Sequence, residues 1–366
     1  MLGFRFEDAL PLELLFGYRY GAFVLELTDN SDVGVLLGTT TNDGSIKYGD
    51  AACPLNRLLG MYEDKLESVF PCKVSEKSKA APNLTFESGT QHRSPALKTA
   101  KPRVIIPVFP GTNCEFDSAR AMREAGADAE IFVINNLTAD GVARSVEAFA
   151  QKVAGAQMIF IPGGFSGGDE PDGSGKFITA FFRSGAVKAS VEALLEKRDG
   201  LICGICNGFQ ALIKLGLVPF GRIVDTDENC PTLTYNTIGR HQSRIVRTRI
   251  ASNMSPWLSE TRVGDVYLVP VSHGEGRFLA SDSMIEKLAE NGQIATQYAD
   301  PNGSATMDIR YNPNGSAAAI EGITSPDGRV FGKMGHAERI GKDLYKNVYG
   351  DYDIKMFKSA VKYFNT

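Results

Sequence analysis

From residue 102 onward the sequence predicts an α/β fold, a doubly wound and mostly parallel sheet with helices on both faces. Three observations carry this. Short apolar runs at 104–108, 129–134, 158–161 and 201–205 have the length and composition of buried strands. Segments of helical period separate them, at 116–125, around 146–153 and within 177–197, and a fourth follows at 207–215. Turn-forming stretches rich in Gly, Pro and Asn close several of the apolar runs, at 110–113, 162–169 and 204–208. Strands alternating with helices require parallel pairing, and such sheets gather their sites at the carboxyl ends of the strands. Those three turns should therefore converge on one crevice.

The rest of the chain is less regular. After Gly216 the pattern turns strand-rich, with candidates at 232–249, 266–271, 294–298, 317–323 and 330–334, and a closing helix at 352–364. Residues 73–101 are rich in Ser, Lys, Ala and Pro without a period and read as a linker. Residues 1–72 carry candidate strands at 17–27, 33–38 and 44–48 and a candidate helix at 56–69. So few elements bury little core, so this stretch reads as the end of a larger domain or a small sheet packed on the main one. The expected division is 1–72, 73–101 and 102–366.

Composition narrows the function. A net charge of -4 argues against a large nucleic-acid footprint. No apolar run reaches the roughly 20 residues of a membrane span, and the amino terminus lacks a basic region followed by an apolar core. A cytoplasmic protein that binds neither nucleic acid nor membrane is the expectation. Six cysteines are present. Cys203 and Cys206 are spaced as C-x-x-C but straddle a strand end, where residues three apart face opposite ways, so reduced thiols are expected.

Cys206 is the candidate nucleophile. It lies between strand 201–205 and helix 207–215, with Gly204 and Gly208 on either side. A nucleophile on a sharp strand-to-helix turn needs small neighbours, and the first amides of the helix favour an anion there. The alternative is a buried structural cysteine. A base must come from four histidines, of which His92 falls in the linker. His336 follows strand 330–334, and Glu338, two residues on, would share its side of an extended segment and fix its tautomer. His273, between Ser272 and Gly274, is the rival base or a residue lining the site. The glycine turn lacks the Gly-Lys-Ser/Thr of a phosphate loop. Its better use is an oxyanion hole, with the Gly164 amide paired to that of Asn207. Gln210 and Asn113 are candidate substrate contacts.

Five segments occur together: P-G-T-N-C at 110–114, G-G-F-S-G-G-D at 163–169, G-I-C-N-G-F-Q at 204–210, H-G-E-G-R-F at 273–278 and G-H-A-E-R at 335–339. In this order they resemble the class I, or triad, glutamine amidotransferase domain, whose fold is flavodoxin-like. The second and fourth segments resemble the glutaminase domain of phosphoribosylformylglycinamidine synthases in particular. Ala337 stands where many relatives have proline. The resemblance implies a catalytic Cys206, His336 and Glu338, L-glutamine as substrate and no cofactor or metal in this domain. It also implies a synthetase domain or subunit as partner, where ATP and Mg²⁺ act on formylglycinamide ribonucleotide, and makes residues 1–72 similar to the end of that synthetase. A cysteine peptidase or amidase on the same scaffold, or a silent regulatory module, are the alternatives.

Overall fold

The computed structural model describes residues 2–8, 10–29, 31–69, 81–87, 94–166 and 175–365. His92, Cys72 and the Gly167, Gly168 and Asp169 end of the glycine-rich segment lie outside them. The chain divides into two compact units, Met1–Ser75 and Glu76–Thr366.

In the first unit β1 (Gly3–Phe6), β2 (Gly38–Thr41), β3 (Ser45–Tyr48) and β4 (Ala51–Pro54) form one sheet in the order β2-β1-β3-β4. A helix, Leu55–Asp64, follows β4. Strand β3 falls where expected. The expected strands at 17–27 and 33–38 do not form, and β1 and β2 pair instead. Aromatic and branched residues at 17–27 favour extended backbone, but no strand among the described residues pairs with them. Tyr18, Tyr20 and Phe23 consequently stand 94%, 98% and 86% exposed. None of this unit's described hydrophobic side chains is buried, as its shortage of elements implies.

The second unit is built on nine strands. They are β5 (Arg103–Val108), β6 (Asp128–Val133), β7 (Met158–Ile161), β8 (Leu201–Ile205), β10 (Gln242–Ile250), β11 (Val266–His273), β13 (Ile294–Ala299), β14 (Ile320–Thr324) and β15 (Val330–Lys333). Short β9 (Thr232–Thr234) and β12 (Arg277–Leu279) pair separately. The order is β11-β10-β13-β14-β15-β8-β7-β5-β6. From β15 to β6 neighbours run parallel, and from β15 to β11 antiparallel. The parallel half follows from the strand–helix alternation, and the antiparallel half from the strand-rich text after Gly216.

Helices Glu115–Glu124, Ala139–Ala154, Lys176–Phe182, Gly185–Arg198, Asn207–Leu215 and Met356–Asn365 accompany the sheet. Thr138 caps the longest, its hydroxyl accepting from the Gly141 amide. Two expected elements divide. The 177–197 segment makes two helices about Ser184, and the 232–249 segment makes β9 and β10. The second division follows from a turn in which the Gly239 amide donates to Asn236 O, with Gly239 at φ 69°. Residues 81–87, read from composition as linker, run along the second unit. The Phe86 amide donates to Ala251 O, and Gln297 Oε1 accepts from the Leu84 amide.

The core makes the central strands the most buried part of the chain. All side chains of β7 and β8 are buried. Such uninterrupted burial explains why their sequences are continuous apolar runs and not alternating ones.

Candidate active site

The parallel strands deliver their carboxyl ends to one edge. β5 ends at Val108 and leads to Asn113 and Cys114, and β7 ends at Ile161 and leads to Gly163 and Gly164. β8 ends at Ile205 and leads to Cys206, and β15 ends at Lys333 and leads to His336. Register fixes their order, because Gly204 of β8 pairs with Ile161 on one side and Gly332 on the other.

Cys206 occupies a strained turn. Its φ is 53° and ψ is -106°, a region that residues other than glycine rarely adopt. The strain is held in place by its Cys206 amide, which donates to Lys333 O at 2.9 Å, and by the buried helix that begins at Asn207. Both flanking glycines are sterically required. A Cβ at Gly204 would meet the Gly208 carbonyl at 2.6 Å, and one at Gly208 would meet Ile161 O at 2.1 Å. The small residues read from the sequence are thus imposed by the helix lying hard against the sheet.

His336 and Glu338 form a buried pair, with His336 Nδ1 2.7 Å from Glu338 Oε1. Burial opposes a charged imidazole. The Glu338 charge and its hydrogen bond, with the neighbouring Cys114 and Cys206 thiols, outweigh it, so the pKa stands well above the ordinary histidine value. Gly163 seats the two catalytic candidates side by side. A Cβ there would meet His336 Cε1 at 2.6 Å and would touch Cys206 Cβ at 3.4 Å.

A pocket opens over Cys206, lined by Gly164, Phe165, Gln210, Tyr235, Arg240 and His273 among others. Gln210, which lines it, is bonded to the buried Asn207. Asn207 Oδ1 accepts from the Ser166 amide and its Nδ2 donates to Gln210 Oε1, while Gln210 Nε2 donates to Glu275 O at 2.5 Å. Gly164 bridges antiparallel to Thr112, and this carries the glycine turn over Cys206.

His273 lies at the pocket wall and not beside Glu338. Its Nδ1 meets Asn236 Oδ1 at 3.2 Å, and its Nε2 has no hydrogen-bond partner among the described residues. Burial and the nearby His336 and His241 lower its pKa to about 3, so it is neutral at physiological pH. Asn113 is not among the residues that line this pocket; its Oδ1 accepts from Cys114 Sγ at 3.0 Å and Arg339 Nη2 at 3.4 Å.

Sequence reasoning missed three neighbours. Cys114 Sγ lies 3.7 Å from His336 Nδ1. A fully buried ion pair, Lys333 Nζ to Glu321 Oε1 at 3.2 Å, grips the peptide before His336. Lys333 Nζ donates to Gly335 O at 2.9 Å, and Glu321 Oε1 accepts from the Gly335 amide at 2.6 Å. No sequence signal joins Glu321 to Lys333, since they meet across β14 and β15.

Residues 101–364 match the family of CobB/CobQ-like glutamine amidotransferase domains. Phosphoribosylformylglycinamidine synthase subunit PurQ of Methanococcus maripaludis is 33% identical over 282 residues, covering 72% of this chain and 98% of that protein. The subunit of the same name from Symbiobacterium thermophilum is 35% identical over 253 residues, covering 68% and 92%. A chain in the structure of PurLQS from Thermotoga maritima superposes with a TM-score of 0.51 at 26% identity, covering 72% of this chain and 99% of that one. The chain belongs to the PurQ family of glutamine amidotransferases, the glutaminase component of phosphoribosylformylglycinamidine synthase in purine biosynthesis.

Proposed function

We propose that this chain hydrolyses L-glutamine to glutamate and ammonia through a γ-glutamyl thioester on Cys206. The observation that carries the reading is a cysteine on a strained strand-to-helix turn, seated beside a buried histidine whose Nδ1 is held by a carboxylate. Glu338 accepts the Nδ1 proton and leaves Nε2 for the thiol.

His336, made more basic by Glu338, takes the proton of Cys206, and the resulting thiolate attacks the side-chain carboxamide. The developing oxyanion is held by the amides of Gly164 and Asn207, and such a donor contributes about 3 kcal/mol of barrier lowering. His336 then gives its proton to the departing nitrogen, which leaves as ammonia. A water, deprotonated by the same imidazole, splits the thioester and the thiol recovers its proton. Gln210 and His273 line the pocket that receives the substrate, with His273 Nε2 offering an acceptor.

Ammonia then passes to a synthetase partner, where ATP and Mg²⁺ activate the acceptor nucleotide. The glycine turn here, lacking Gly-Lys-Ser/Thr, does not fit an ATP cradle, so no step of that chemistry is assigned to this chain. No helix among the described residues is long and apolar enough to cross a membrane.

The test is glutamine hydrolysis with and without the synthetase component, alongside labelling by a glutamine-like electrophile. Modification of Cys206 that glutamine blocks and peptides do not is expected. Full hydrolysis by Cys206→Ala would refute the reading.

A further inference from the structure

Cys114 has no part in that reaction, yet it stands beside its base. The thiol, the imidazole and the Glu338 carboxylate are all buried, and one ligand atom from each lies within 4.8 Å of the other two. Glu338 Oε2 has no hydrogen-bond partner among the described residues. We propose that Cys114, His336 and Glu338 form an inhibitory binding site for a thiophilic divalent cation of the Zn²⁺ class.

The donor set suits such an ion, since zinc takes thiolate, imidazole and carboxylate in tetrahedral sites. Bond lengths of about 2.3 Å to sulfur and 2.0 Å to nitrogen put those two atoms about 3.5 Å apart. Cys114 Sγ and His336 Nδ1 stand at 3.7 Å. His336 Nδ1 and Glu338 Oε1, at 2.7 Å, share a proton. The cation replaces that proton, and the carboxylate retreats by about 0.7 Å or turns Oε2 to the metal. One thiolate and one carboxylate neutralise the dication, and the fourth position is open to water. Two groups oppose binding: Asn113 Oδ1, which holds the Cys114 thiol, and the nearby Arg339 cation.

The consequence follows from counting protons. Cys114 releases its thiol proton to solvent. The ring gives up Nδ1 to the metal, and the proton displaced from Nδ1 returns to the ring at Nε2. An imidazole with metal on one nitrogen and hydrogen on the other has no lone pair left for the Cys206 proton. Bound metal therefore stops turnover without touching Cys206.

Two measurements test this. The first rests on the glutaminase reading, and the second does not. Zn²⁺ should inhibit glutamine hydrolysis by the full chain, chelator should restore it, and Cys114→Ala should need at least tenfold more Zn²⁺. Equal sensitivity in Cys114→Ala would overturn the site. Independently, Co²⁺ added to full-length Cys206→Ala should give thiolate-to-metal charge-transfer absorption that disappears in Cys206→Ala/Cys114→Ala. An absent band in the single variant, or one that persists in the double variant, overturns the proposal even if the protein never turns over glutamine.

Discussion

Replacing Lys333 with methionine tests how His336 is held. Lys333 and Glu321 are both 0% exposed and bond to each other and to the Gly335 peptide, immediately before His336. The substitution keeps roughly the volume but strands a carboxylate in the core. Glu321 retains two donors, the Gly335 amide at 2.6 Å and Thr296 Oγ1 at 2.5 Å, while Gly335 O loses its own donor. Removing one partner of a buried pair costs about 3–5 kcal/mol. Lys333→Met/Glu321→Gln removes both charges and leaves a carboxamide oxygen for the Gly335 amide, so about half that loss, roughly 2 kcal/mol, should return relative to the single variant. Urea unfolding followed through Trp257 measures this, because the chain's one tryptophan is fully buried in the second unit. The same single variant should lower kcat more than it changes KM, since it loosens His336 and not the pocket. A loss below about 1 kcal/mol, or additive losses without coupling, would refute the reasoning.

Three further outcomes follow from the site. Cys206→Gly should be about 1 kcal/mol more stable than Cys206→Ala, because glycine relieves a strain of roughly 1–3 kcal/mol at positive φ and gives back about 0.5–1 in chain entropy; equal unfolding midpoints would mean the turn stores none. Glu338→Gln should lower kcat about 10³- to 10⁴-fold with little change in KM, through loss of the tautomer that exposes Nε2; steady-state kinetics with glutamine decide it, and a loss under tenfold contradicts the assigned role. His273, whose pKa is lowered from 6.5 to about 3, leaves the unfolded chain binding a proton that the folded chain refuses between those values. Stability should fall as pH drops through that window, by up to about 1.4 kcal/mol per pH unit, and His273→Gln should flatten the slope; identical slopes in pH-dependent unfolding would be inconsistent with a buried neutral ring.

How much of this was legible in the sequence depended on what each feature answers to. The central parallel strands β7 and β8 were readable because they are buried on both faces, which demands continuous apolar runs, and the turn at Cys206 because its glycines are forced by contacts with Ile161 and Gly208. The stretch 17–27 misled because strand-favouring residues do not by themselves supply a neighbouring strand. The His336–Glu338 pair was legible because it is local. Cys114 and the Lys333–Glu321 clamp were not, since both arise where separate strands meet. Asn113 shows the converse. Its backbone position at a strand end was readable, but one partner of its side chain, Arg339, lies 226 residues away in sequence.

The central claim is that Cys206 carries the γ-glutamyl group. Acid quench during turnover with isotopically labelled glutamine, followed by peptide mass spectrometry, tests it most directly. A γ-glutamyl adduct is expected on the peptide containing Cys206, at Cys206 and not at Cys203, and none in Cys206→Ala. Turnover without any adduct, or an adduct on Cys114, would contradict it.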